Sequence, residues 1–379
     1  MKALHIYRTY FPDPPGGLQE AIRQISLATK ACGVESKIFT LSPQPVPREL
    51  TVAEGQVIRS KSWAAPASCD LGGLDAFRQY RRLADWADVL HFHFPWPFGD
   101  VLRMMGGSGK PAVMTYHSDV VRQRFLGSIY GPLMARMLSS MSAVVATSPA
   151  YAKSSTVLAS LVAPQRLQVI PLGIGDYANS DFAQRCGPQT LARMALGDKP
   201  YFLSLGVLRY YKGLHTLIEA APLIPATLVI AGSGPEMQNL KKLAADVGAS
   251  NVIFAGQVSE EEKIALLKGC RAMLLPSHLR SEAFGMVLVE ASMFGKPMVC
   301  CEVGSGTSFV NEHNVTGFVV PPESPREFAA AACQLLADET LAGQMGLAAR
   351  ARYERLCSAP ALGRAYRRLY DQVATAERM

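Results

Sequence analysis

Short β-rich runs alternate with helical patterns along this chain, and the alternation occurs twice over. This arrangement is typical of doubly wound parallel sheets, because parallel strands must be joined by crossover helices. We therefore predict an α/β chain with two parallel sheets. The predicted strands are residues 3–7, 36–40, 89–92, 111–116 and 143–147 in the first half, and 201–205, 227–231, 252–255, 272–275 and 298–301 in the second. The predicted helices are 19–32, 75–86, 120–140 and 150–160, then 214–221, 236–247, 260–268 and 285–294.

The length of 379 residues, of which 49% are apolar, is sufficient for two domains with separate cores. The segment 172–199 is rich in glycine, proline and polar residues and is the best boundary. We expect domains at 1–172 and 173–360, followed by a terminal helix at 361–379. Apolar side chains recur in that last segment at helical spacing, at Tyr366, Leu369, Tyr370 and Val373.

Neither a membrane span nor a signal peptide is expected, since the apolar runs are shorter than about 18 residues and the first residues are polar. The predicted location is the cytoplasm. Eight cysteines are scattered without metal-ligand spacing, which favours reduced structural thiols. No Asp-x-Asp motif occurs in the sequence, so we expect no metal cofactor.

Charge is unevenly distributed along the chain. Residues 1–170 carry 18 Lys+Arg against 11 Asp+Glu, whereas the remaining residues are balanced. Neither zinc-finger spacing nor a helix-turn-helix pattern accompanies this charge, so nucleic acid is not an expected partner. An anionic membrane surface or a phosphate-bearing acceptor explains the basic half as well or better. Arg122 and Arg124, which lie among apolar residues in the segment 121–130, are candidates for the membrane contact.

Glu282 and Glu290 bracket a predicted strand-to-helix turn in the second half. The first amides of a helix have no intrahelical partner, and with the helix dipole they favour an anion. The two carboxylates would repel a phosphate, and they suit neutral hydroxyl groups beside it. A ligand with a phosphate and many hydroxyls, such as a sugar nucleotide, satisfies both conditions. Two glutamates on a solvated helix are the alternative interpretation.

This acidic pair, separated by seven residues in the setting Ser-Glu-Ala-Phe-Gly, resembles the signature of the retaining glycosyltransferases of family 4. The resemblance implies the GT-B fold, in which two Rossmann-like domains face each other across a cleft. It also implies that the terminal helix crosses back onto the first domain. The resemblance extends over most of the chain.

In the first domain, the resemblance assigns the donor diphosphate to Gly16 and Gly17, whose amides follow the first strand. His117, at the end of a strand in Thr-Tyr-His-Ser-Asp, matches a histidine that lines the donor-sugar site. A satisfied core imidazole is the alternative interpretation of His117. An aromatic cluster at 91–98 is predicted to form a loop. It suits a wall for the acceptor and plain packing equally, and it is kept as a candidate acceptor wall.

In the second domain, Arg209 and Lys212 follow a strand at the edge where open α/β sheets bind ligands, and both suit a diphosphate. The family pattern matches Lys212 directly. The family arginine directly follows a glycine, where this chain has Val207, so either Arg209 reaches the same phosphate or that contact is missing. The resemblance also assigns the remaining donor contacts: Gly234 and Val258 for the nucleotide, Glu290 for the ribose, and Glu282, Ala283, Phe284, Gly285 and Met286 for the sugar.

These assignments predict a retaining hexosyltransferase whose catalytic residues are His117, Arg209, Lys212 and Glu282. Charge neutralisation by the two cations and the helix amides would replace a divalent metal. The motifs look most like bacterial enzymes that add mannose or rhamnose to lipid-linked polysaccharide precursors, with a GDP-linked donor and peripheral attachment to the inner face of the membrane. The alternatives are a GT-B epimerase acting on a UDP-sugar and a catalytically silent subunit that binds a sugar nucleotide.

Overall fold

A computed structural model describes residues 1–13, 16–65, 69–106, 109–119, 124–194, 196 and 199–376, with backbone alone for 124–129, 188 and 192. The chain divides into two compact units. The N-terminal unit is Met1–Gly173 together with the C-terminal residues from Ala359, and the C-terminal unit is Ile174–Ser358. Arg122 lies outside the described residues, as does the side chain of Arg124.

The N-terminal unit is built on one large sheet. Its strands are β1 (Lys2–Ile6), β2 (Glu35–Ser42), β3 (Glu49–Val52), β4 (Gly55–Ala64), β5 (Leu71–Gly72), β6 (Val89–Phe94), β7 (Ala112–Tyr116), β8 (Ala143–Ala146) and β9 (Leu167–Val169). They lie in the order β3-β4-β2-β1-β6-β7-β8-β9, and β5 pairs with β4. The helices before residue 173 are α1 (Gly17–Lys30), α2 (Leu74–Trp86), α3 (Pro97–Met105), α4 (Arg124–Ser139), α5 (Pro149–Ser154) and α6 (Thr156–Leu161).

This first sheet is mixed, which differs from the predicted all-parallel sheet. Strands β3 and β5 both run antiparallel to β4, whereas β4 runs parallel to β2. Strand β4 was not predicted, because it buries polar side chains and so is not an apolar run. Arg59, which is 4% exposed, donates from Nη2 to Ser42 at 2.8 Å and pairs with Asp13 at 3.3 Å.

The C-terminal unit has a fully parallel sheet. Its strands are β10 (Tyr201–Leu205), β11 (Thr227–Ala231), β12 (Val252–Gly256), β13 (Ala272–Leu275), β14 (Met298–Cys301) and β15 (Gly317–Val320). The helices are α7 (Asp181–Arg185), α8 (Leu214–Ala220), α9 (Met237–Asp246), α10 (Glu260–Gly269), α11 (Met286–Met293), α12 (Thr307–Val310), α13 (Pro325–Ala337) and α14 (Glu339–Arg352). The strand order β12-β11-β10-β13-β14-β15 is that of a Rossmann sheet, and its direction of winding reverses between β10 and β13.

The last helix, α15 (Ala359–Ala376), belongs to the N-terminal unit and packs on α1. Its buried side chains include Tyr366 and Tyr370. The hydroxyl of Tyr366 lies 2.8 Å from Thr115 Oγ1, and that of Tyr370 lies 2.7 Å from His91 Nδ1. The helix is thus fixed to the sheet by hydrogen bonds as well as by apolar contacts. Among the residues described, no helix combines the length and the apolar character needed to cross a bilayer.

Candidate active site

In the C-terminal unit, the loops after β10 and β13 leave the sheet side by side at the point where its winding reverses. This is the place where open α/β sheets bind ligands. The first loop carries Lys212, in a single helical turn that ends at Gly213. Gly213 has a φ of 66°, and an added Cβ would lie 2.0 Å from the carbonyl oxygen of Pro276 in the second loop. A glycine is therefore required where the two loops touch.

Lys212 and Glu282 form an ion pair between these two loops. Their side chains are 13% and 10% exposed. Glu282 Oε2 also accepts from Ser277 Oγ at 3.3 Å, and Oε1 accepts from the amide of Gly285 at 3.1 Å. Burial lowers the pKa of Lys212, but the neighbouring Glu282 outweighs it and the pKa is raised. The ammonium group therefore keeps its charge at this edge of the sheet.

The turn that contains Glu282 has a shape fixed by close contacts. Gly285, with a φ of 83°, precedes the first residue of α11, Met286. The amide of Gly306 donates to the carbonyl of Ala283 at 2.9 Å. Phe284 is buried, and a Cβ added to Gly306 would lie 2.5 Å from its ring. Backbone amides at the start of α11 are consequently held in position beside the Lys212–Glu282 pair.

Glu290 lies one turn further along α11 and has two partners that the sequence analysis did not identify. Its Oε1 accepts from the Tyr177 hydroxyl and from Lys263 Nζ, each at 3.1 Å. Burial and then Glu290 raise the pKa of Tyr177, which therefore acts as a donor. Nothing in the local sequence marks these partners, because Tyr177 is 113 residues away and precedes the sheet.

The loops after β11 and β12 contain the residues predicted to contact the nucleotide. Gly234 packs against the first loop so closely that an added Cβ would lie 2.4 Å from the carbonyl oxygen of Leu208. Arg209 is exposed at the start of the turn that contains Lys212. Val258 is half-buried just after β12. Arg209, Gly234 and Val258 thus lie in loops at one edge of the sheet. Of the residues predicted to be catalytic, Lys212 and Glu282 are in contact with each other.

In the N-terminal unit, His117 is the end of a row of hydrogen-bonded imidazoles. His117 Nε2 lies 3.1 Å from His93 Nδ1, and His93 Nε2 lies 3.1 Å from His5 Nδ1. We call His5, His93 and His117 the histidine chain. Burial lowers the pKa of His5 and of His117 to about 3 and that of His93 well below its ordinary value, so all three rings are neutral near pH 7. His5 and His93 were not predicted as site residues, although His93 falls in the aromatic segment singled out from the sequence.

Of the two interpretations of residues 91–98, plain packing is correct, and both the predicted loop and the acceptor wall are wrong. Residues 91–94 belong to β6 rather than to a loop, and the side chains of His91, Phe92, His93, Phe94, Trp96 and Phe98 are all buried. Phe94 stacks on Tyr116 with ring centroids 4.4 Å apart, and Trp96 Nε1 donates to the carbonyl of Asp70 at 2.9 Å. The aromatic residues form the interior of the unit.

Gly16 and Gly17 lie at the exposed start of α1. The carbonyl of Gly16 accepts from the amide of Glu20 at 3.1 Å, the first helical hydrogen bond. The side chain of Gln19 donates to Thr9 Oγ1 at 2.8 Å and ties the helix to the loop after β1. The two glycine amides therefore lie at the positive end of a 14-residue helix, where an anion is favoured.

Comparison with known families agrees with this architecture. The family described as Glycosyltransferase Family 4 matches residues 15–176, and the family described as Glycosyl transferases group 1 matches residues 193–352. The chain belongs to glycosyltransferase family 4, and it is an enzyme that transfers sugars.

Several relatives match almost the entire chain, and two of them are described here. It is 42% identical to the D-rhamnosyltransferase WbpZ of Pseudomonas aeruginosa, over 95% of this chain and 93% of the relative. It is 36% identical to the O-antigen chain mannosyltransferase C of Escherichia coli, over 98% of both chains.

Solved structures share the fold at lower identity. A sucrose-phosphate synthase from Thermosynechococcus elongatus superposes with a TM-score of 0.78, at 22% identity and over 99% of both chains. HepE from Anabaena, solved in complex with UDP, gives a TM-score of 0.78 at 18% identity, over 98% of this chain and all of its own. The chain therefore has the predicted GT-B fold, with two Rossmann-like domains.

Proposed function

We propose that this enzyme transfers a hexose, mannose or rhamnose, from a GDP-linked donor to a lipid-linked saccharide in cell-surface polysaccharide biosynthesis. The observation that carries the proposal is the buried Lys212–Glu282 pair at the point where the C-terminal sheet reverses its winding. The choice of sugar is supported by the two relatives described above, which are named as a rhamnosyltransferase and a mannosyltransferase.

The site offers distinct groups for each part of such a donor. Lys212, helped by Arg209 and the amides at the start of α11, would stabilise the negative charge of the departing diphosphate. Glu282 has both oxygens fixed by protein donors and keeps lone pairs that can accept from sugar hydroxyls. Glu290 is held through Oε1, which leaves Oε2 to bind the ribose.

The remaining predicted contacts complete the proposal. Gly234 and Val258 would border the nucleotide. In the N-terminal unit, the amides of Gly16 and Gly17 would bind phosphate, and neutral His117 would donate to or accept from sugar hydroxyls. In the retaining reaction proposed for the family, the acceptor attacks the face from which the nucleotide leaves, and the leaving phosphate takes the acceptor proton.

A panel of sugar nucleotides tests the donor. A ligand that binds the folded state raises the thermal midpoint, by the equivalent of about 2.7 kcal/mol at a concentration 100 times its Kd. GDP-mannose or GDP-rhamnose should raise the midpoint of the wild type most, and the rise should shrink in Lys212→Ala. A larger rise with UDP-sugars would overturn the choice of base. Equal rises in the wild type and in Lys212→Ala would show that the diphosphate does not bind at Lys212.

Metal dependence tests the proposed charge neutralisation. Because two cations and helix amides would offset the diphosphate charge, transfer should continue in EDTA, and added Mg²⁺ should leave kcat unchanged. The measurement is initial rate at saturating donor, with and without chelator. Loss of activity that Mg²⁺ alone restores would contradict this part of the proposal.

A further inference from the structure

Three side chains from separate segments of the C-terminal unit converge behind the loop that carries Lys212. His215 is in α8, His278 is in the loop after β13, and Glu323 is in the turn after β15. One nitrogen of each imidazole and one oxygen of the carboxylate all lie within 4.8 Å of one another. The reaction proposed above does not use any of these three groups.

His278 is a buried imidazole to whose ring nitrogens the described residues supply no hydrogen-bond partner. It is 8% exposed, and within the described part of the chain neither Nδ1 nor Nε2 is hydrogen-bonded. The ring packs edge-on against Tyr210 and His215, with centroids 4.8 and 5.0 Å away. Buried polar atoms are nearly always satisfied, so this ring needs a partner that the described side chains do not supply.

Glu323 holds a backbone conformation that a non-glycine residue rarely adopts. Its φ is 54°, in the left-handed region, where most side chains strain the backbone. The segment Pro321-Pro-Glu-Ser324 provides no glycine to relieve this strain. A strained residue whose carboxylate lies near two imidazoles is typical of a binding site, because residues selected for stability alone avoid such positions.

We propose that His215, His278 and Glu323 form a site for a transition-metal ion of the zinc class. Two imidazoles and one carboxylate are a common donor set for Zn²⁺, with a water or another ligand in the fourth position. Tetrahedral ligands at zinc–nitrogen distances of about 2.0–2.1 Å lie roughly 3.4 Å apart. The three groups now lie within 4.8 Å of one another, so they would have to move closer to bind the ion. Mg²⁺ and Ca²⁺ prefer oxygen ligands throughout and fit this set poorly.

The ion would link the two loops of the candidate active site without entering the reaction. The amide of His278 donates to the carbonyl of Tyr211 at 3.1 Å, next to Lys212. A Cβ on Gly213 would lie 3.2 Å from His278 Nδ1, so the lysine loop rests on this ring. Metal bound here would fix the Lys212 loop, the loop after β13 and the turn after β15 to one another. Its effect would be on stability, with kcat at saturating donor unchanged.

Metal titration of the full chain tests the site. The protein is purified without a histidine tag, stripped with chelator and dialysed, and Zn²⁺ is then added during calorimetry and thermal unfolding. One equivalent should bind, and the thermal midpoint should rise until that equivalent is reached. Co²⁺ should give the visible absorption of a tetrahedral site. Absence of binding, or the same rise with Mg²⁺, would overturn the proposal.

Variants locate the ion. His215→Ala and Glu323→Gln should weaken Zn²⁺ binding on the order of tenfold or more, whereas His313→Ala, at an exposed histidine outside the cluster, should bind like the wild type. A second histidine cluster, His5, His91 and His93, lies in the N-terminal unit. Binding that survives His215→Ala and Glu323→Gln but is lost in His5→Gln would place the ion there and contradict the proposal.

Glu323→Gly separates metal binding from folding. Glycine adopts a φ of 54° without strain, so this variant should be at least as stable as the wild type when metal-free. It should nevertheless lose the rise in thermal midpoint on adding Zn²⁺. An unchanged rise in Glu323→Gly would show that the carboxylate is not a ligand.

Discussion

Lys212 is the residue on which the proposed chemistry most depends. Its ammonium is shielded from solvent and held by Glu282, so it is positioned before any ligand arrives. Lys212→Ala should remove a charge-assisted contact worth about 1.5–3 kcal/mol, which is roughly a ten- to hundredfold loss in kcat/KM. Steady-state kinetics measures the loss. Lys241→Ala, at an exposed lysine on α9, is the matched control and should retain full activity.

A loss within about twofold for Lys212→Ala would mean that the diphosphate binds elsewhere. The variant also leaves Glu282 with one partner fewer, so its folding must be compared by circular dichroism and thermal midpoint. Lys212→Arg offers a further check, because it keeps the positive charge but not the compact ammonium.

The two glutamates of the turn should differ in kinetic effect. Glu282 contacts the lysine loop and would bind the sugar, where charge develops at the anomeric carbon. Glu290 would hold the ribose equally in the ground and transition states. Uniform binding changes KM, whereas binding realised in the transition state changes kcat. Glu282→Gln should therefore depress kcat chiefly, and Glu290→Gln should raise the donor KM chiefly.

Steady-state kinetics of both variants decides this point. Because Glu290 also accepts from Lys263 and Tyr177, Tyr177→Phe is a useful companion: it should raise the donor KM in the same direction but by less. The reverse pattern, with KM altered by Glu282→Gln and kcat by Glu290→Gln, would show that the sugar and ribose ends of the site are assigned the wrong way round.

The histidine chain lies in strands β1 and β6 and directly after β7, and its titration should affect the free energy of unfolding. The folded-state pKa values are lowered, to about 3 for His5 and His117, so the unfolded chain binds protons that the folded chain does not. The free energy of unfolding should consequently fall as pH drops below about 6.5, by up to roughly 1.4 kcal/mol per pH unit for each of His5 and His117, until pH approaches 3. The lowered pKa of His93 acts in the same direction.

Thermal midpoints between pH 7 and pH 4 measure this effect. His93→Gln keeps an amide that can both donate and accept but cannot titrate, so its midpoint should vary less steeply with pH than that of the wild type. Equal slopes in His93→Gln and the wild type would show that His93 does not contribute to acid stability.

Elements differed in how well the sequence predicted them. The bounds of β10, β11, β13 and β14 were predicted to the residue, because strands of a parallel sheet that are buried on both faces are continuous apolar runs. Strands β3 and β4 were missed. Strand β4 contains Arg59 and Ser60, which are buried through tertiary contacts that no local pattern reveals.

The site was predictable only in part, for the same reason. Glycines and charges after strands indicated which loops bind ligand, and Lys212 and Glu282 lie in those loops. Their pairing joins residues 70 apart, and the contact of Glu290 with Tyr177 joins residues 113 apart. The acceptor wall predicted at residues 91–98 was wrong because aromatic side chains suit a core and a sugar-binding surface equally.

For the whole molecule, the uneven charge predicts association with an anionic bilayer. Residues 1–170 carry the entire net charge of +7, since the remainder is balanced. Each basic residue near an anionic membrane contributes about 1 kcal/mol, and salt weakens the attraction over a Debye length of about 10 Å at 0.1 M. We expect peripheral, salt-sensitive binding that brings the N-terminal unit to a lipid-linked acceptor.

Flotation with liposomes of defined phosphatidylserine content measures this association. The wild type should float with anionic vesicles at low salt, float less as salt rises, and stay at the bottom with neutral vesicles. The double variant Arg122→Glu, Arg124→Glu should float less than Lys241→Glu, Lys242→Glu, which makes the same change in net charge at exposed positions of α9. Equal flotation of the two variants would mean that net charge alone governs binding. A wild type that stays at the bottom at low salt would rule out the membrane as the partner of the basic half, and a phosphate-bearing acceptor would then be the explanation to test.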